Sequence, residues 1–174
     1  LGGRWSRYRQ TYVSDGMWGY SESTAQERGK FTPFAGFIHQ WSPEWSAYGS
    51  YADIFKPQSQ RDASGAFLTP VNGKTVEIGL KGDLAEGRAH AAFALFRTEQ
   101  KHVAFEDDTV DQDVADARCG GTCYRSSALM RSQGAEAELT GEVARGLQLS
   151  ASYTYTQTRY RSADVPSVGY DVSA

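Results

Sequence analysis

Apolar and polar side chains alternate along several stretches of this chain, most cleanly from Gly146 to Thr158. There Leu147, Leu149, Ala151, Tyr153 and Tyr155 interleave with Gln148, Ser150, Ser152, Thr154 and Thr156. A strand sends successive side chains to opposite faces, so a period of two predicts a sheet lying between an apolar medium and a wet one. A second stretch sets Val76, Ile78, Leu80 and Leu84 opposite Glu77, Lys81 and Asp83. A third, Gly134 to Val143, sets Ala135, Ala137, Leu139 and Val143 opposite Glu136, Glu138, Thr140 and Glu142.

The pattern predicts about seven strands, near 2–12, 30–41, 45–56, 73–84, 88–99, 127–142 and 146–160. Three connections are tight and carry Pro or Gly: Ser42-Pro43-Glu44, Ala85-Glu86-Gly87 and Ala144-Arg145-Gly146. The other three, near 13–29, 57–72 and 100–126, are long. Short and long connections alternate, which gathers all short turns at one end of the sheet and all long loops at the other. This is the layout of an outer-membrane barrel. A soluble sandwich also alternates inward and outward residues, but its strands are shorter, about 5–6 residues. The apolar sets of the three clean strands hold no Lys or Arg, as a lipid-facing surface requires. Arg4, Arg7 and Arg9 cannot all share one face, so at least one belongs near an interface or in the lumen. Aromatics stand near the strand ends: Trp41 and Trp45 beside a short turn, and Tyr51, Phe55, Tyr153 and Tyr155 toward the loops. Rings favour a membrane–water boundary, and cross-strand packing would place them equally well.

The 174-residue composition agrees, with 18 glycines, 10 tyrosines, 8 phenylalanines, 4 tryptophans and only 5 prolines. Mean hydropathy is negative. The longest apolar run, Ala91 to Phe96, is far short of the roughly 20 residues of a spanning helix. That excludes helical membrane proteins and leaves barrels untouched, whose strands alternate over about 10 residues. The net charge of −3, without clustered Lys and Arg, argues against a nucleic-acid partner. The chain opens at Leu1 with no charged-then-apolar leader, so a signal segment is expected to be removed or to lie outside this sequence.

Catalytic patterns are absent. His39, His90 and His102 are dispersed, and no HExxH, GxSxG or phosphate-cradling glycine loop accompanies them. An enzyme is not expected. Cys119 and Cys123 enclose Gly120-Gly121-Thr122, and two glycines permit the tight path of a small ring. Outside the cytoplasm such a pair is expected to be a disulfide, with a redox or metal role as the alternative. Glu106, Asp107, Asp108, Asp111, Asp113 and Asp116 precede it. They are hard oxygen ligands suited to Ca2+, but their spacing is not that of an EF-hand and a solvated loop accounts for them equally. No metal site and no cofactor are expected.

Tyr51 to Ser59, YADIFKPQS, resembles a signature of the TonB-dependent ferric-siderophore receptors. FTPFAGFIHQW (Phe31 to Trp41), GKTVEIGLKG (Gly73 to Gly82), ALFRTEQ (Ala94 to Gln100), GAEAELTG (Gly134 to Gly141) and LSASYTYT (Leu149 to Thr156) follow the same family's barrel half in order. The resemblance implies an all-β antiparallel meander forming part of a roughly 22-stranded transmembrane β-barrel. Residues 1–174 would be a partial barrel domain, an interior third, with the plug and remaining strands absent. It further implies uptake of ferric chelates across the bacterial outer membrane, with ferric hydroxamates the leaning, driven by TonB through the missing N-terminal region. A secreted all-β module binding sugars or other ligands is the alternative. Partners would be a ferric siderophore and outer-membrane lipid, and an isolated piece would self-associate through its open edges. Glu77, Glu136 and Glu138 would line the lumen or meet the plug. Aromatic and hydrogen-bonding groups near the mouth suit an oxygen-rich chelate, and Trp18, Tyr20, Tyr124 and Arg125 are the candidates by position.

Overall fold

The computed structural model describes residues 1–16 and 19–162, with backbone alone at 14–16, 19–21, 127 and 162. Seven strands form one antiparallel sheet in sequence order. They are β1 (Gly2–Gly16), β2 (Gly19–Gln40), β3 (Trp45–Lys56), β4 (Val71–Leu84), β5 (Ala89–Glu106), β6 (Tyr124–Ala144) and β7 (Leu147–Ser162). Helix α1 (Gln112–Cys119) lies between β5 and β6. The strands run from 12 to 22 residues, beyond the roughly 9–11 that cross a bilayer. The outer edges of β1 and β7 pair with no strand among the described residues.

Register carries the alternation from strand to strand. Tyr155, Ala135, Leu95, Ile78, Gly49 and Phe37 form one row across six strands. The side chains of this face are open: Phe37 is 68% exposed, Ile78 55%, Leu95 45% and Tyr153 68%. Burial of apolar surface is the main favourable term in folding, so a band this continuous needs an apolar medium against it. No protein element covers it among the described residues. Along β4 the band runs from Val76 to Leu84, about 25 Å at the usual strand rise, close to the apolar height of an outer-membrane barrel.

The opposite face is small and polar. Tyr48 on β3 crosses Gly79 on β4, where an added Cβ would fall 2.5 Å from the ring, and the bare backbone lets the hydroxyl donate to Glu77 at 2.6 Å. Arg4 joins this face beside Thr32 and reaches the carbonyl of Phe55 at 3.4 Å. Trp5 and Phe31 pack on the other side, with ring centroids 6.5 Å apart. The polar face is less clean at β2, where Ile38 and Phe34 point into it.

Several expectations are corrected here. The proposed loop at 13–29 is a tall hairpin, with β1 and β2 paired out to Gly16 and Gly19. Polar residues there alternate without an apolar partner set, so period gave no signal once both faces were wet. The proposed loop at 100–126 is shortened at both ends and contains α1. Tyr153 lies mid-band, level with Ala137, Phe93 and Leu80, rather than toward the loops. The three short turns fall where Pro and Gly placed them. At the second, Ala85 and Glu86 both take positive φ, 52° and 59°.

Candidate ligand and lumenal site

The loop end is tied together by a few side chains. Gln58, buried just past β3, donates through Nε2 to the carbonyls of Thr69 at 2.5 Å and His102 at 2.8 Å. Its Oε1 accepts from the amide of Ala104 at 3.1 Å. One amide therefore joins loop 57–70 to the irregular top of β5, where His102 takes φ 62° beside a break in register. Arg61 stacks its guanidinium 3.6 Å over the Tyr12 ring and donates to Ser23 at 2.9 Å, which fastens the same loop to the β1–β2 hairpin. Arg118 at the end of α1 donates to the carbonyl of Ala63 at 3.2 Å. The amide of Tyr124 donates to the carbonyl of Arg61 at 2.7 Å.

Cys119 and Cys123 are joined in a disulfide that closes α1 onto the start of β6, with Gly120 in the left-handed region as the helix cap. Cys123 and Ala115 are buried. The acidic run is dispersed. Asp107 accepts from Thr109 Oγ1 at 2.6 Å, Asp113 stands in the first turn of α1, and Asp116 accepts from Gln112 at 2.8 Å. The Thr109 hydroxyl, then its amide and the Arg125 guanidinium, hold the Asp107 carboxyl below its ordinary range. Among the described residues no three His, Cys, Asp or Glu converge as a metal site would require.

Of the four residues proposed for ligand contact, only Tyr124 and Arg125 have described side chains. Trp18 lies outside the described residues, and Tyr20 is described by its backbone alone, paired with Asp15. Arg125 is engaged with Asp107 at 3.6 Å and Asp108 at 3.7 Å, so its charge is already matched inside its own loop. Tyr124 follows the disulfide at the foot of β6 and pairs with Glu106. Gln58, Arg61 and Arg118 tie the described loop segments together. A glutamine within KPQSQ reads as solvated loop, and nothing in sequence distinguishes Arg61 or Arg118 from surface charge.

Below the loops, the polar face offers hydroxyls and carboxylates with few cations. Glu136 and Glu138 on β6 are exposed toward it, opposite Thr154 and Ser152 on β7. Lys81 stands 4.9 Å over the Tyr48 ring. Toward the short turns, His90 Nδ1 and Asp83 lie 2.6 Å apart beside a broad depression shared with Gln40, Ser46, Glu138 and Thr140. His39 faces the apolar side, between Phe37 and Trp41. This arrangement can hydrate and steer a polar solute, but it assembles no nucleophile with a base.

An open antiparallel sheet with one lipid-facing band, a polar inner face and an interlocked loop end is a segment of membrane barrel. Residues 1–174 match the family described as TonB dependent receptor-like, beta-barrel. The chain belongs to the TonB-dependent receptors. Among curated TonB-dependent relatives, the ferric-pyoverdine M114 receptor PbuA of Pseudomonas sp. (strain M114) is 41% identical over 166 residues, covering 91% of this chain and 19% of that protein. The ferripyoverdine receptor of Pseudomonas aeruginosa is 34% identical over 157 residues, covering 89% and 18%. The crystal structure of the P. aeruginosa ferripyoverdine receptor bound to ferripyoverdine superposes with a TM-score of 0.74 at 30% identity, over 99% of this chain and 21% of that one. The alcaligin outer-membrane receptor FauA of Bordetella pertussis gives 0.66 at 29% identity, over 95% and 27%. The chain thus spans about a fifth of the length of the curated relatives it matches. TonB-dependent receptors are outer-membrane proteins. The family is one of receptors rather than enzymes, and the secreted sugar-binding module is set aside.

Proposed function

We propose that this barrel segment serves a receptor that takes up ferric siderophores, and within that class a ferripyoverdine. The observation that carries the reading is the match of all seven strands to a receptor whose structure holds ferripyoverdine. Relatives named for ferric pyoverdines are 34–41% identical, against 26% for the ferrioxamine B receptor of Salmonella typhimurium. The role of the segment is to present a preorganised loop end and to line the wet passage beneath it. A plug held inside the barrel and energy from TonB belong to the same reading, with the plug resting against Glu77, Glu136 and Glu138. The candidate chelate contacts remain Trp18, Tyr20, Tyr124 and Arg125, with Arg125 available only if it leaves Asp107 and Asp108.

The test is uptake of 55Fe-labelled ferripyoverdine by cells lacking their own receptor and expressing the full-length protein, with and without functional TonB. TonB-dependent accumulation is the expected result. Uptake of ferrioxamine B with none of ferripyoverdine would overturn the chelate assignment. TonB-independent accumulation would overturn the transport reading.

A further inference from the structure

Strand β2 pairs with β3 only from Phe34 to Gln40, whereas β1 and β2 stay paired with each other out to Gly16 and Gly19. Loop 57–70 meets that upper hairpin through Arg61. Tyr12 and Ser23 are directly opposed in the β1–β2 register, and Arg61 takes both. Its guanidinium stacks 3.6 Å over the Tyr12 ring while Nη2 donates to the Ser23 hydroxyl at 2.9 Å. Phe67, bridged to Arg61 across the loop, has its ring centroid 5.1 Å from the same guanidinium. A planar guanidinium stacks by its face and donates by its edge at once, so one side chain grips one residue from each strand. The loop that carries it is not slack chain. The Asp62 carboxylate accepts from the amides of Ser64 at 2.9 Å and Ala66 at 3.1 Å, and the amide of Leu68 donates to the carbonyl of Gln60 at 3.0 Å.

The same residue faces the other way through its main chain. Its carbonyl accepts from the amide of Tyr124 at 2.7 Å, and two residues on, the carbonyl of Ala63 accepts from Arg118 at 3.2 Å. Residue 61 therefore holds the β1–β2 hairpin by its side chain and the start of β6 by its backbone. The candidate chelate contacts are divided between these two places: Trp18 and Tyr20 belong to the β1–β2 stretch, while Tyr124 and Arg125 open β6. A ligand that touches groups on separate elements binds more tightly when those elements are already set against each other, because less ordering remains to be done on binding. We propose that Arg61 is a positioning residue for chelate recognition, which sets the β1–β2 hairpin against the start of β6 through loop 57–70 without itself touching the chelate. The inference rests on the reading of the protein as a ferripyoverdine receptor and adds the residue that couples the two halves of its contact set.

The experiment uses the full-length receptor in detergent and compares wild type with Arg61→Ala, Tyr12→Leu, their double variant and Tyr12→Phe. Hydrogen exchange is followed without chelate, and ferripyoverdine affinity by titration. Without chelate, Arg61→Ala and Tyr12→Leu should each speed exchange across 8–27. Exchange in 118–124 should stay at the wild-type rate, because the Tyr124 amide bonds a main-chain carbonyl that both variants keep. Arg61→Ala should weaken ferripyoverdine binding about tenfold, the scale of a lost cation–π stack together with a hydrogen bond from a charged donor. Tyr12→Leu should weaken it less, the double variant no more than Arg61→Ala, and Tyr12→Phe, which keeps the ring, should bind as wild type does. Weakened binding with wild-type exchange in the hairpin would make Arg61 a direct chelate contact and overturn the positioning role. Additive losses in the double variant, or faster exchange with unchanged affinity, would overturn it as well. A wild-type receptor that binds no ferripyoverdine would overturn the chelate reading and this role with it, whereas wild-type binding that survives Arg61→Ala overturns this role alone. If Arg61→Ala fails to assemble, Tyr12→Leu decides, and wild-type exchange or affinity in that variant would refute the proposal.

Discussion

A buried amide that meets three backbone groups has no apolar substitute, and Gln58 is in that position. Gln58→Leu leaves two carbonyls and one amide of the loop end without their partner, at a cost of about 2–4 kcal/mol. We expect the variant to assemble its barrel and to show faster proteolysis within 57–70 and 100–106, with wild-type cleavage rates speaking against the latch. Asp107 makes a pH-dependent contribution whose sign follows from its depressed value. A carboxylate stabilised in the fold helps most above its ordinary value of about 4 and loses that help as pH falls through its lower folded value. Protection against hydrogen exchange in 107–123, taken relative to the intrinsic rate at each pH, should therefore hold from neutral pH down to about 4 and fall below it. Asp107→Asn should remove that acid transition. Neither role was legible beforehand, because a polar residue in a polar loop has the same sequence signature whether it is buried or wet.

At the scale of elements, the turn from Leu84 to Gly87 closes with a hydrogen bond from the amide of Gly87 to the carbonyl of Leu84 at 3.1 Å. Its two central residues hold positive φ, a geometry that favours Asn and Gly over the Ala85 and Glu86 found there. Replacing the pair by Asn-Gly should stabilise the hairpin by roughly 1 kcal/mol, read as a higher melting temperature in detergent. Helix α1 had signals that strand-centred reading passed over. Asp113 sits in its first turn, Arg118 in its last, and Gly120 caps it, which is the charge and glycine asymmetry of a helix. The two faces of the strands also differ in what they tolerate. Ile78→Arg on the lipid side should cost about 2–4 kcal/mol, whereas Thr154→Arg on the polar side should be nearly neutral. The folded fraction recovered from outer membranes measures both, and equal losses would mean that the faces are misassigned.

For the whole molecule, the sheet exposes an apolar face and two free strand edges, so the 174-residue chain alone should associate in buffer and disperse only in detergent. Light scattering with and without detergent checks this, and a detergent-indifferent monomer would contradict the lipid-facing band. Within the full receptor, Glu136→Leu or Glu138→Leu should impair uptake more than insertion, because both carboxylates face the polar side. Unchanged uptake would count against a plug docked on that face.

Strand count, the three short turns and the composition of the two faces were determined by sequence alone. Membrane and lumen impose opposite chemistry on neighbouring residues, and a period of two records that directly. Only the tertiary structure decided the height of the β1–β2 hairpin, the joining of three loop segments by Gln58, Arg61 and Arg118, and the meeting of Arg131 with Arg159. Those depend on register and on contacts between residues far apart in the chain: Arg131 and Arg159 become neighbours through the pairing of β6 with β7. Local pattern specifies which face a side chain takes, whereas its neighbours on that face are set by the alignment of whole strands.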